Sequence, residues 1–279
     1  METKFSLIMA TYNRFNEIED FLVSLRKQKY KIFELIIIDQ NDKIDLLPLV
    51  IKYQQDITIL YHKNAIKGLS LNRNIGLNMA SGDIICFPDD DCFYTEYTLN
   101  DVKEFYENNK NIHFLTITSK DFSDKFYKND ISKKIRINSA NFFNKSISYS
   151  IFIKKEAIKD FMFDTDFGIG AYYGSGEDTD LILYALRYAY KGFYLPCVYI
   201  YHPKKKNELN IDRISKYVKG FGALMKKGII VYNNYYCLIL FIKYVVHDLI
   251  KILIKRNKSL YISSLSSRIQ GFRTYGKSI

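Results

Sequence analysis

The chain has 279 residues, 48% of them hydrophobic and 16% aromatic with no Trp, enough apolar material for one large domain with an appendage or for two small ones, and too much for wholesale disorder. Its net charge of +11 is uneven: Lys204 to Ile279 hold 16 Lys and Arg against 3 Asp and Glu, whereas residues 1–203 hold 25 against 27. Four scattered cysteines without a CxxC argue against a disulfide framework or a zinc site, no apolar run reaches the roughly 18 residues of a spanning helix, and the run in METKFSLIMATYN is too short for a signal peptide.

Lys4 to Ala10 alternates as a strand. Asn16 then reads as a helix N-cap with Glu19 as its capping-box partner, and Ile18, Phe21, Leu22 and Leu25 follow at helical spacing. Phe33 to Ile38 is a buried strand ending at Asp39, and Ile57 to Tyr61 is another short one. Ser70 opens a helix with Leu71, Ile75 and Met79 on one stripe and Gly82 as its stop. Ile84 to Phe87 is a strand that runs into Asp89, Asp90 and Asp91. Leu99, Val102, Phe105 and Tyr106 mark a helix, and Ile112 to Thr118 a strand. Later, Glu177, Asp178 and Asp180 open a helix with Leu181, Tyr184, Ala185 and Tyr188 on one stripe, and the strand Val198 to Tyr201 ends at His202. Tyr235 to Arg256 is an apolar helix with Lys243, His247, Lys251 and Lys255 recurring every four residues.

Strands alternating with helices imply an α/β fold with a mostly parallel sheet. Ligands of such sheets bind outside the carboxyl ends of the strands, so Thr11-Tyr12-Asn13-Arg14, Asp39-Gln40-Asn41 and Asp89-Asp90-Asp91 are expected on one rim. Composition shifts near Pro203-Lys204-Lys205-Lys206, which divides the chain into an α/β region at 1–205 and a basic helical region at 206–279.

Clustered carboxylates on a sheet rim suit a hard divalent cation, Mg²⁺ or Mn²⁺, which takes one or two of them and completes its shell with water and phosphate. A lone acidic triplet is more often a solvated turn; the preceding strand and the convergent rim favour the cation. Arg73, in the helix before that strand, is either a permanently charged phosphate partner or an exposed helix arginine.

SLIMATYNR, ELIIIDQND, GLSLNRNIGLNMASGDIICFPDDD and GSGEDTDL occur in the order and spacing of family-2 glycosyltransferases, and the chain resembles that family over roughly residues 4–203. The resemblance implies a GT-A catalytic domain at 1–205, with a nucleotide-binding half at about 1–118 and an acceptor half at about 119–205, and inverting transfer of a sugar from a nucleotide-diphosphate donor, UDP- or dTDP-linked, to a glycan or lipid-linked hydroxyl in surface polysaccharide synthesis. It implies that Thr11 and Tyr12 border the nucleoside, with Arg14 and Asp90 beside them, that Asp39 lies by the base, and that Arg73 lies near the base or diphosphate. Asp89 then faces ribose and metal, Asp91 ligates the metal, and His202 is a third ligand. Many family members carry a second acid after the second strand to hold the base. This chain has Gln40, which can accept a hydrogen bond from a uracil or thymine imide and can also donate, so the base stays open.

The ED of GSGEDTDL implies Asp178 as the catalytic base, with Glu177 positioning the acceptor or exchanging roles with it. On the residues alone, acids at a helix N-terminus are ordinary. The glycines at 168, 170, 174 and 176 do not fit GxGxxG and read as a loop over the substrates, which Asp164 and Asp166 help to shape.

The basic tail predicts a helix lying in an anionic membrane surface and hence a peripheral enzyme on the cytoplasmic face. No nucleic-acid motif accompanies the cations, so nucleic acid is not expected as a partner. A sugar-phosphate nucleotidyltransferase and a non-catalytic nucleotide- or glycan-binding module are the competing readings. The first lacks a glycine-bearing phosphate loop in TYNRFNEIE, and the second is hard to square with intact acids at both centres.

Overall fold

The computed structural model describes residues 2–124, 134–203, 211–255 and 258–276; Lys204–Lys206 at the expected boundary and Arg256 among the tail cations lie outside them. The chain forms two compact units, one of Met1–Lys67, Asn72–Met162 and Tyr190–Lys205, the other of Gly68–Leu71, Phe163–Ala189 and Lys206–Ile279. This grouping differs from a division at 205/206. The segment 163–189, expected in the acceptor half, packs with the basic helices because buried charges tie it there, as described below.

The first unit is built on β1 (Phe5–Thr11), β2 (Phe33–Asp39), β3 (Thr58–Lys63), β4 (Ile84–Cys86), β5 (Phe93–Tyr94), β6 (Phe114–Lys120), β7 (Ile135–Ile137), β8 (Ile151–Lys154) and β9 (Gly192–Tyr201). They form one sheet in the order β3-β2-β1-β4-β8-β6-β9-β5, with β7 also on β9. The long ladders are parallel: β1 with β2, β2 with β3, and β6 with β9. The antiparallel pairings, β8 with β4 and β6 among them, are short. Apolar residues fill β1 and β2 on both faces, and Phe21, Leu22 and Leu25 of α1 (Asn16–Arg26) are buried in the same core as Phe5, Leu7, Leu35 and Ile37. Such doubly covered strands read as continuous hydrophobic runs.

The capping box expected at Asn16 does not form. Phe15 holds the N-cap position with no side-chain hydrogen bond, Asn16 lies inside the helix, and Glu19 accepts from Lys52 instead (2.6 Å). The chain turns through Asn13 in a left-handed conformation (φ 58°), and Arg14 pairs with Glu17 across the first turn. In α3 (Leu69–Met79) the expected inward stripe is also displaced: Asn72, Arg73, Asn74 and Gly76 are buried, while Leu71, Ile75 and Met79 are half-buried. α3 ends at Met79, before Gly82. Gly82 is required by a close approach instead, since a Cβ there would lie 2.7 Å from the Ser6 nitrogen and 2.8 Å from the Lys4 oxygen. Gly82→Ala is therefore expected to push β1 aside and cost about 1–3 kcal/mol; an unchanged urea midpoint would show that the backbone yields freely.

The first unit also carries α2 (Leu47–Tyr53) and α4 (Thr98–Asn108). The second is helical: α5 (Glu177–Arg187), α6 (Ile211–Ile230), α7 (Tyr236–Ile254) and α8 (Lys258–Thr274). α6 and α8 pack backbone against backbone, since a Cβ on Gly222 would run into the Arg268 carbonyl and one on Gly271 into that of Lys219. α5 buries Leu181, Ile182, Leu183 and Ala185; Tyr188, expected on its inward stripe, lies beyond the helix and is exposed. Among the described residues no helix is long and apolar enough to cross a membrane.

Candidate active site

The parallel register sets Thr11 beside Asp39, and β4 delivers the acidic turn next to β1. Thr11 Oγ1 donates to Asp90 Oδ2 (2.7 Å), and the Gln40 N–H donates to the Thr11 carbonyl (3.0 Å). The Asn13 N–H donates to Asn41 Oδ1, and Arg14 reaches Asp90 (3.7 Å) and Asp91 (3.4 Å). The three segments expected on one rim thus meet within the first unit. Burial raises the Asp90 pKa to about 6, with the neighbouring Asp91 adding to it and the Thr11 hydrogen bond and Arg14 opposing.

The outer acids meet two cationic partners. Arg73 Nη2 lies 3.5 Å from Asp89 Oδ1, so this buried arginine faces the acids and is not an exposed helix residue. His202, brought in by the end of β9, has Nε2 at 3.0 Å from Asp91 Oδ1 and 3.7 Å from Asp89 Oδ2. Its ring stacks on Tyr149 at 4.4 Å between centroids, which fixes the plane in which the nitrogen points.

One ligand atom from each of Asp89, Asp91 and His202 lies within 4.8 Å of the others. Nε2 is buried and, although close to Asp91, makes no hydrogen bond among the described residues. A buried nitrogen aimed at two carboxylates, in an oxygen-rich set, fits a divalent cation such as Mn²⁺ or Mg²⁺. Burial alone would lower the His202 pKa, but Asp89 and Asp91 outweigh it and hold it up at about 9. A cation held by Asp89, Asp91 and His202 would take the place of that proton.

Asp39 is completely buried, and its carboxylate is occupied by its own chain. Oδ1 accepts from the Asn41 N–H and Nδ2 (both 2.7 Å), and Oδ2 from the Tyr61 hydroxyl (2.7 Å) and Lys63 Nζ (2.9 Å). The sequence reading placed Asn41 on the rim but missed Tyr61 and Lys63 as partners of Asp39. Pairing the strands would have found Lys63, which lies opposite Asp39 in the β2–β3 register. Gln40 is buried and its Nε2 donates weakly to the Thr11 carbonyl (3.4 Å). Tyr12 is exposed, with its hydroxyl 2.9 Å from Lys67 Nζ.

In the second unit, Gly176 enters α5 at φ 114°, a conformation that favours glycine, and the three acids of the first turn divide. Glu177 is buried and Asp178 is partly exposed. Asp180 is 1% exposed and wholly engaged: Lys227 Nζ donates to it (2.9 Å) and to Asp164 (2.7 Å), and the Tyr232 hydroxyl donates to its other oxygen (2.9 Å). Of the three, only Asp178 combines exposure with a place in the first turn. Lys227 and Tyr232 were missed because nothing local marks a lysine or tyrosine some 50 residues downstream as a partner.

Residues 6–168 match the glycosyl transferase family 2 profile, which is more than half of the chain. A GalNAc(5)-diNAcBac-PP-undecaprenol beta-1,3-glucosyltransferase of Campylobacter jejuni is 35% identical over 91 residues, 32% of this chain and 29% of that protein. The Escherichia coli UDP-Glc:alpha-D-GlcNAc-diphosphoundecaprenol beta-1,3-glucosyltransferase WfaP is 30% identical over 105 residues, 38% of this chain and 42% of that one. The matched stretches thus span less than half of these relatives' length. Staphylococcus aureus TarS 1–349 in complex with UDP-GlcNAc superposes with TM-score 0.69 at 19% identity, covering 96% of this chain and 81% of that one. The mannosyltransferase PcManGT from Pyrobaculum calidifontis in complex with GDP-Man and Mn²⁺ gives 0.62 at 16%, covering 98% and 87%. The fold expected from the motifs, GT-A, is the fold present, and the chain belongs to glycosyl transferase family 2.

Proposed function

We propose that the protein is an inverting glycosyltransferase that moves a sugar from a UDP- or dTDP-linked donor to a hydroxyl of a glycan or lipid-linked acceptor at the cytoplasmic face of a membrane, in surface polysaccharide synthesis. The observation that carries this reading is the convergence of Asp89, Asp91 and His202 on one point, with Arg73 and Arg14 beside them. Such a group holds a cation and, through it, a diphosphate. The named donors and undecaprenol-linked acceptors of the relatives support the finer choice of substrates.

Thr11, Tyr12 and Gln40 border the nucleoside, and the Arg73 guanidinium offers permanent charge to the diphosphate. Asp89, Asp91 and His202 would hold Mn²⁺ or Mg²⁺, which when bound neutralises charge developing on the departing diphosphate. Asp178 accepts the proton of the acceptor hydroxyl as its oxygen attacks the anomeric carbon, and Glu177 positions the acceptor. The new bond forms on the face opposite the departing nucleoside diphosphate, so the anomeric configuration inverts.

The test is incubation with Mn²⁺ and a panel of nucleotide sugars. Slow release of nucleoside diphosphate, abolished by EDTA, is the expected result. Pyrophosphate release from a nucleoside triphosphate and a sugar phosphate would replace this reading with a nucleotidyltransferase, and no nucleotide binding at all would replace it with a binding module. Asp91→Ala should weaken Mn²⁺-dependent binding of the donor by at least about tenfold, the order expected for loss of a direct or supporting metal contact. Calorimetry with and without the ion checks it; equal affinity in both proteins would remove Asp91 from the cation site.

A further inference from the structure

α7 is turned inside out. Its inward side buries Asp248, which accepts hydrogen bonds from Arg268 Nε (3.1 Å) and Nη2 (3.0 Å) and from Ser264 Oγ (2.9 Å). The Arg268 guanidinium in turn lies over the Phe221 and Tyr244 rings. Meanwhile Ile239, Ile242, Val246, Ile250 and Leu253 all point outward, at the i+3 and i+4 spacing of one helix stripe, and Leu253 is 78% exposed. A helix that buries an ion pair and lines one exposed stripe with five large aliphatic side chains does not have water as its natural neighbour.

We infer that the outward stripe of α7 docks on an anionic lipid bilayer, with the helix axis along the surface. At 19 residues the helix extends about 28 Å, long enough to lie in the interface. Lys243 borders the stripe, while the half-buried Lys251 and the C-cap residue Lys255 follow it round toward the side of Asp248, and the exposed Tyr235 and Tyr236 stand at the start of the helix, where amphipathic rings suit the headgroup level. Charge selects the occupant. Asp248 is the only Asp or Glu after Asp212, and it is buried, so α7 and α8 themselves expose lysines and no acidic side chain. Two copies of the chain, stripe to stripe, would bring their lysines together with no exposed acid of α7 or α8 to receive them. Lipid phosphates receive them directly, at about 1 kcal/mol each. Docking of this kind supplies the membrane attachment in the proposed function and needs nothing from its transfer chemistry.

The chain has no Trp, so Val246→Trp introduces a single reporter on the stripe. With full-length protein and phosphatidylcholine vesicles carrying phosphatidylglycerol, its emission should shift to the blue and be quenched by brominated acyl chains. Pure phosphatidylcholine should give a weaker response. Lys243→Gln/Lys251→Gln/Lys255→Gln should weaken binding to the anionic vesicles by at least about tenfold. Nucleotide-sugar hydrolysis without vesicles should be unchanged in both variants, which separates a failure of docking from a failure of the catalytic reading. Emission that ignores vesicles overturns the proposal. So does a blue shift that appears with protein concentration alone, together with a dimer in sedimentation, because a second copy then covers the stripe.

Discussion

Asp178→Asn is expected to lower the rate of sugar transfer by about 10²–10⁴-fold while leaving the affinity for nucleotide sugar nearly unchanged. The two halves of the expectation come from different parts of the chain. The donor-binding groups on the sheet rim all belong to the first unit, so an amide at 178 removes nothing from them. The amide keeps the size of the carboxylate but cannot take a proton at neutral pH. The loss should therefore fall on kcat, the signature of an interaction made in the transition state. Its neighbours make the assignment sharp. Glu177→Gln should act mainly through acceptor KM. Asp180→Asn should act through stability, because Asp180 is already held by Lys227 and Tyr232 and offers nothing to a substrate. Single-turnover transfer with saturating donor and acceptor separates the three, and wild-type turnover in Asp178→Asn would sink the assignment of the base.

What could be read in the sequence and what could not divide along physical lines. The strands and the rim were legible because parallel α/β strands are buried on both faces and announce themselves as apolar runs, and because the carboxyl-end rule needs only their order. His202 was legible as the residue after a strand. Helix ends were less so: Asn16 has the right chemistry for a cap, but Asn13 in its left-handed turn and the Arg14–Glu17 pair start the helix without it. α3 defeated the periodicity argument because burial there follows Arg73 and its neighbouring amides more than the apolar stripe. The polar side chains that a site needs are the ones a hydrophobic pattern ignores. The partners of Asp39 and Asp180 were invisible for a further reason. Lys63 and Lys227 are ordinary lysines until strand register or helix packing brings them to a buried acid. The boundary at 205/206 followed composition, whereas the packing follows the charges buried beneath it.

Lys227→Met is expected to destabilise the second unit by about 3–5 kcal/mol, the usual cost of removing one partner from a buried ion pair. Burial by itself would favour neutral lysine, but Asp180 and Asp164 hold the Lys227 pKa above its ordinary value, so the ammonium is charged throughout the neutral range. Without it, the Tyr232 hydroxyl is the one side-chain partner left to the Asp180 carboxylate among the described residues, and Asp180 must either ionise unpaired or stay protonated. The methionine fills most of the lysine stem's volume, so the loss reports charge more than packing. Because the folded pKa is raised, the wild-type contribution is complete below the unfolded lysine value of about 10.4 and fades as pH rises through the folded one. The difference between wild type and Lys227→Met should therefore persist across neutral pH and narrow only in strong base. Cys237, buried in the same unit, gives a local readout: its labelling by a thiol reagent should accelerate in the variant along with the drop in urea midpoint. Adding Asp180→Asn should recover part of the loss by removing the charge left behind, and the coupling between the two changes measures what the pair holds. If Lys227→Met unfolds at the wild-type midpoint and Cys237 stays protected, the buried charges do not bind 163–189 to the basic helices, and apolar packing alone accounts for the unit.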